Sequence, residues 1–145
     1  MNIHQATIND LDSLTELFDL YRQFYKQASD LKGAREFIEE RFIKKESVIF
    51  IAYDGEEPIG FTQLFPSFSS VSMQKSWVLN DLYVKETARR KGVAEQLIKK
   101  AIGLAEETGA KGILLETGNE NVNAQKLYEK IGFIKDSNYY YYYSL

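Results

Sequence analysis

The chain has 145 residues, 44% of them hydrophobic and 27% charged, with a formal net charge of −3. Such a chain can bury one sizeable core, and it lacks the basic footprint of a nucleic-acid binder. It has no cysteine, which rules out disulfides, a thiolate nucleophile and Cys-based zinc sites, so no metal site is expected. No run approaches the roughly 18 apolar residues of a membrane span, and the start MNIHQATIND has no signal-peptide apolar region, so a cytoplasmic location without a membrane partner is expected.

Residues 2–7 read as a short strand. Asn9 or Asp10 can cap a helix reaching about Tyr25, with Leu11, Leu14, Leu17, Phe18, Tyr21 and Phe24 or Tyr25 along one face. Residues 33–45, GAREFIEERFIKK, form a second amphipathic helix. Strands follow at SVIFIAY (47–53), IGFTQLFPSF (59–68) and KSWVLNDLYV (75–84), the first two joined by the turn DGEEP. A helix from about Gly92 to Thr108 carries the stripe Val93, Leu97, Ile98, Ala101, Leu104 and Ala105, with Gly109 as its C-cap. KGILLET (111–117) reads as a buried strand, and a capped helix runs from about Asn121 to Ile131, where Gly132 ends it.

The tail IKDSNYYYYYSL holds five of the ten tyrosines and reads as a final strand. Aromatics on both of its faces need cover on both. A helix can supply one cover and a second subunit the other, which gives the expectation of a homodimer. No repeat or Gly/Ser-rich linker divides the chain, so residues 1–145 are expected to form a single domain. Three consecutive strands in the middle suggest an antiparallel meander, and the β-α-β step over 75–117 suggests a parallel pair. The expected fold is α/β, a mixed central sheet of about six to seven strands with helices on both faces.

The chemistry concentrates in TARRKGVAEQL, residues 87–97. A helix N-terminus offers free N–H groups and the positive end of a dipole to an anion. Gly92 lets a ligand approach the backbone, Ala94 does not block that approach, and Arg89, Arg90 and Lys91 add charge. The segment carries neither GxGxxG nor GK[ST]. On its own it reads equally as a phosphate cradle or as a plain basic turn.

Two motifs add a family resemblance. Arg89-x-x-Gly92-x-Ala94 resembles the [QR]-x-x-G-x-[GA] pyrophosphate loop of the GNAT-type N-acetyltransferases, which bind acetyl-CoA. Asn121-x-x-Ala124-x-x-Leu127-Tyr128-Glu129-Lys130-Ile131-Gly132-Phe133 is similar to the same family's N-x-x-A-x-x-L-Y-x-x-x-G-F segment. The order of elements also matches over nearly the whole chain. The resemblance implies that the main chain of Leu82, Tyr83 and Val84 pairs with the pantetheine arm. It implies that N–H groups across Arg90, Lys91, Gly92, Val93, Ala94 and Glu95, in the loop opened by Arg89, hold the pyrophosphate. Asn121 would hydrogen-bond the cosubstrate, and Tyr128 would protonate the leaving thiolate. The alternative for Tyr128 is a helix tyrosine packed beside Leu127.

The implied activity is transfer of an acetyl group to a primary amine of a small molecule, with a protein or peptide amine as the alternative acceptor and a non-catalytic CoA-binding module as a further one. Without cysteine, direct attack in a ternary complex is the natural route. An alkylamine with a pKa near 10.4 costs about 4.6 kcal/mol to neutralise at pH 7, so a base would help. In Asn80-Asp81-Leu82-Tyr83-Val84 the first position departs from the Glu-Asp pair of polyamine-acetylating relatives, and an amide cannot act as a base. Asp81 is then a base, an amine anchor or a structural carboxylate, with Glu116 as a lesser candidate. Strand alternation puts Asn80 and Asp81 on opposite faces. Tyr21, Tyr25, Asp30, Phe65, Phe68 and Trp77 are candidates for the acceptor pocket, with plain core packing as the alternative for each. His4, the single histidine, reads as structural.

Overall fold

The apolar stripes and turn residues assemble in the expected order, with shifts at the element ends. The computed structural model describes all 145 residues, and the chain divides into two compact units, Met1–Leu115 and Glu116–Leu145. In the first unit, β1 (Asn2–Gln5), β2 (Val48–Asp54), β3 (Glu57–Ser69), β4 (Gln74–Val84) and β5 (Ile113–Leu115) form one five-stranded sheet in sequence order. The first four strands run antiparallel and β5 lies parallel to β4. Helices α1 (Leu11–Phe24) and α2 (Leu31–Ile43) follow β1, and α3 (Val93–Glu107) makes the crossover from β4 to β5.

Neighbouring residues of β3 show which helix covers which face. Phe61 is fully buried and its ring meets Phe18 and Tyr21 of α1. Gly60 points the other way, where a Cβ would sit 3.4 Å from Leu97 of α3 and only 2.8 Å from the Tyr83 carbonyl, so that close approach requires glycine. Ala34 and Ile38 of α2 join Leu11, Leu14, Leu17 and Phe18 in the core on the α1 face. On the opposite face α3 buries Val93, Leu97, Ile98, Ala101 and Ala105, the stripe expected from the sequence apart from half-buried Leu104.

The ends differ from expectation for local reasons. Thr7, rather than Asn9 or Asp10, begins the first helical segment. It caps a single 3-10 turn, Ile8–Asp10, and in return the Thr7 amide donates to the Asp10 carboxylate at 2.9 Å. Helix α2 starts two residues early because the Asp30 carboxylate accepts the Gly33 amide at 2.9 Å. Strand β3 continues through Pro66, which is tolerated because pairing with β2 ends at Leu64 and leaves β3 an edge beyond it.

The sheet has five strands rather than six or seven. In the second unit, α4 (Val122–Ile131) is the one regular element, and Tyr139–Tyr143 are exposed. Tyrosine supplies strand propensity, but a strand also needs a hydrogen-bonded neighbour, and residues 132–145 have none within their unit. No helix is long and apolar enough to cross a membrane.

Candidate functional site

Strand β4 loses one of its partners partway along. Trp77, Val78 and Leu79 pair with Ile113, Leu114 and Leu115, and there the ladder to β5 stops. The ladder to β3 continues as far as Val84 opposite Gly60. From Asn80 to Val84 one edge of β4 therefore has no neighbouring strand, and an extended ligand can add there through main-chain hydrogen bonds. A bulge falls at the same place. Leu79 faces Leu64 and Asp81 faces Gln63, which leaves Asn80 as the extra residue.

The chain then turns into the cradle. Arg90 (φ 64) and Gly92 (φ 78) are both left-handed, with Lys91 between them in the ordinary region. The cost for Arg90 is about 1–2 kcal/mol, and strain of this kind concentrates where a backbone has a task. Such alternation gathers successive N–H groups into an anion-binding concavity. No side chain caps α3, in contrast to the caps from Thr7 and Asp30. The Gln96 amide is the first to bond back, to the Gly92 carbonyl at 3.1 Å, so the Val93 and Ala94 amides precede the helical ladder. A Cβ at Gly92 would meet nothing within 4 Å, so the approach is open. Arg89, Arg90, Lys91 and Gly92 are exposed, whereas Glu95 in the first turn is half-buried and lies 3.9 Å from Lys99. This donor set fits a polyphosphate.

Arg89 is tied into the fold. Its Nε donates to the Val84 carbonyl at 3.0 Å, and its guanidinium lies 5.5 Å from the Phe24 ring centre and 5.9 Å from that of Tyr83. It thus links the end of β4 to the last turn of α1.

Asp81 lies on the α1 face. The register puts Gln63 beside Asp81 and Phe61 beside Tyr83, and Phe61 packs on α1. The Asp81 side chain is buried. Gln63 Nε2 donates to its Oδ2 at 2.8 Å, Asn80 Nδ2 donates to its Oδ1 at 3.1 Å, and Ser47 Oγ donates to Gln63 Oε1 at 2.8 Å. The expected separation of Asn80 and Asp81 onto opposite faces does not hold, because the bulge breaks the alternation and brings the two side chains together. Two residues on, Tyr83 meets Tyr21 edge-on at 6.2 Å, and Tyr21 meets Tyr25 at 5.2 Å. Nothing in the sequence marks Ser47 or the bulge as part of this site. The one visible signal was a glutamine inside the apolar run IGFTQLF.

In the second unit, Gln125 Nε2 donates to the carbonyls of Gly118 (3.0 Å) and Asn119 (3.1 Å) and fixes the turn before α4. Asn121 is the N-terminal cap residue, and its side chain makes no capping bond. Tyr128 is half-buried and meets Phe133 edge-on at 6.0 Å. Its carbonyl accepts the amides of Gly132 (3.1 Å) and Phe133 (2.9 Å), and Gly132 takes φ 124. This closing turn gives the Gly-Phe of the second motif a structural reason. Glu116 is exposed, just after β5.

The remaining candidates have local duties. Asp30 caps α2. Trp77 is buried on the α3 face, its indole donating to Thr108 Oγ1 at 2.9 Å. Phe65 is half-buried, and Phe68 is exposed near the β3–β4 turn. His4 stacks on Tyr53 at 5.6 Å and hydrogen-bonds Asp10.

Comparisons with known proteins follow the same lines. Residues 14–133 match the family described as the acetyltransferase (GNAT) family. The chain is 46% identical over 142 residues to an uncharacterised N-acetyltransferase, YhfO, of Bacillus subtilis (strain 168), covering 98% of this chain and 95% of that one. It is 34% identical to a probable acetyltransferase of Haemophilus influenzae, covering 92% and 90% respectively. Among solved structures, a probable acetyltransferase superposes with a TM-score of 0.92 at 46% identity, covering 100% of this chain and 97% of that one.

Proposed function

The chain belongs to the GNAT family of acetyltransferases, and on that premise we propose that it acetylates a primary amine of a small molecule with acetyl-CoA, by direct attack in a ternary complex. The two units would act as one N-acetyltransferase domain, since the family match spans both of them. The observation that carries the proposal is a coincidence at the end of β4. A strand edge abandoned by β5 runs directly into a left-handed loop and an uncapped helix start.

Acetyl-CoA would supply the acetyl group as an activated thioester. The main chain of Leu82, Tyr83 and Val84 would pair with its pantetheine arm, and the N–H groups from Arg90 to Glu95 would hold its pyrophosphate. Arg89 holds the loop in place through Val84. By family resemblance, Asn121 would donate a hydrogen bond to the cosubstrate, and the Tyr128 phenol would deliver a proton to the departing sulfur. Asp81, a buried carboxylate on the strand that carries the edge, would act on the amine. The absence of a membrane-length helix and of cysteine supports a cytoplasmic setting. The exposed Tyr139–Tyr143 segment supports a homodimer, which sedimentation at micromolar concentration would test.

The experiment is thiol release from acetyl-CoA across alkylamines, amino acids, aminoglycosides and lysine peptides, read with a thiol dye against a protein that carries no thiol of its own. Amine-dependent release, with intersecting double-reciprocal lines when both substrates are varied, is the expected result. Parallel lines would replace direct attack with a covalent route. Failure to bind CoA would end the proposal.

A further inference from the structure

We infer that the rings at the end of α1, with Tyr25 at their centre, form a stacking face for the non-reacting part of the acceptor, so that the substrate carries a flat, uncharged aromatic group near its amine. This rests on the acetyl-transfer reading above. On α1 the apolar stripe outruns the core. Leu11, Leu14, Leu17 and Phe18 are buried. The same helical spacing continues through Tyr21 to Phe24 and Tyr25, but Tyr21 is half-buried, Phe24 is 56% exposed and Tyr25 is 58% exposed. These rings lie on the side of the helix that faces the sheet, yet they lack cover. They overhang the open edge of β4. Tyr21 meets Tyr83 at 6.2 Å, and Tyr25 meets Tyr21 at 5.2 Å and Phe24 at 5.4 Å. All three contacts are edge-to-face, which leaves broad ring surface free for another ring.

Size and charge select the occupant. Two side chains of roughly 150–250 Å² each, a little over half exposed, offer about 200 Å² between them. A stable protein interface needs about 800 Å² from each partner, so the face suits one ring of a small ligand rather than a second chain. The Arg89 guanidinium already lies over Phe24 and Tyr83. A second cation on these rings would meet that charge, whereas a neutral ring would not. Tyr25 is the exposed ring that Arg89 leaves open. Its position is fixed in advance. The Tyr25 amide donates to the Arg22 carbonyl at 3.0 Å, and left-handed Lys26 (φ 65) turns the chain away at once. Behind it Arg22 Nη1 donates to the Ala28 carbonyl at 3.2 Å, and the Asp19 carboxylate accepts Ser29 Oγ and the Asp30 amide, each at 2.7 Å. A face held in this way loses little freedom when a ligand arrives.

The test holds the reacting amine constant and changes only the group behind it. Phenethylamine, 2-cyclohexylethylamine and n-butylamine are compared in the parent, in Tyr25→Ala and in Tyr25→Phe, with CoA affinity measured on every protein. Cyclohexyl matches phenyl in apolar bulk but has no flat face. The expected result is a kcat/KM for phenethylamine about tenfold above the other two, carried mainly by KM, as for one or two aromatic contacts. Tyr25→Ala should remove most of that preference, and Tyr25→Phe, which keeps the ring, should retain it. Equal use of phenyl and cyclohexyl amines, a preference that survives Tyr25→Ala, its loss in Tyr25→Phe, or no turnover of any amine by a parent that binds CoA would each overturn the inference. A parent that fails to bind CoA overturns the acetyl-transfer reading instead.

Discussion

Substituting Gly92 separately by alanine and by glutamate distinguishes backbone strain from exclusion of the ligand. Gly92 sits at φ 78, ψ 12, and a Cβ there meets no protein atom within 4 Å. Neither substitution clashes with the protein, so both carry the same left-handed cost of about 1–2 kcal/mol. At roughly 4 °C per kcal/mol for a chain of this size, both variants should melt about 4–8 °C below the parent. They should part company in binding. A glutamate carboxylate about 5 Å from a pyrophosphate charge, at an effective dielectric near 20, costs about 3 kcal/mol, or at least a hundredfold in CoA affinity. Alanine adds only a methyl group to an open approach and should cost far less. Scanning calorimetry and isothermal titration with CoA measure the two effects. Equal CoA affinity of the two variants would refute the cradle, and widely different melting temperatures would refute the assignment of the common cost to backbone strain.

Other perturbations have defined outcomes. Tyr128→Phe should lower kcat by about 10²-fold while leaving CoA affinity in place, and steady-state kinetics equal to the parent's would remove Tyr128 from the mechanism. Asp30→Ala removes the cap on the Gly33 amide and should cost about 1 kcal/mol in urea unfolding, with no change in the m-value. Burial pushes the Asp19 carboxyl up, but hydrogen bonds from Ser29, the Asp30 amide and Gln23 outweigh it, with help from the Arg22 charge, and hold it below the usual carboxylate range. A carboxyl depressed in the folded state contributes stability above its unfolded pKa and loses it as pH falls through the folded value. The stability gap between the parent and Asp19→Asn should therefore close as pH drops below about 4, and a gap that stays constant to acid would contradict the assignment.

What the sequence revealed was what is local in the chain. Helical stripes such as Val93, Leu97, Ile98 and Ala101 depend on spacing alone, and α3 buries those positions. The Arg89–Ala94 loop is contiguous, so its glycine and its charges could be read together. The features that give the site its detail depend on register. Asp81 meets Gln63 only because β3 and β4 pair in one alignment, and Asn80 joins them only through a bulge that no glycine announces. The left-handed Arg90 is similarly invisible, since its residue type argues against that conformation. The tyrosine tail shows the converse error. Strand propensity at Tyr139–Tyr143 predicted a strand, but pairing is a property of the neighbour, and α4 is the one regular element in that unit.

The most direct measurement follows the acetyl group itself. Acetyl-CoA labelled in the acetyl carbonyl is incubated with the protein and with phenethylamine. Free thiol is counted in parallel with label recovered in the amide product. Equal amounts of thiol and labelled amide, both absent without the amine, are the expected result. Thiol released without labelled amide, or no release from a protein that binds CoA, would contradict acetyl transfer to an alkylamine.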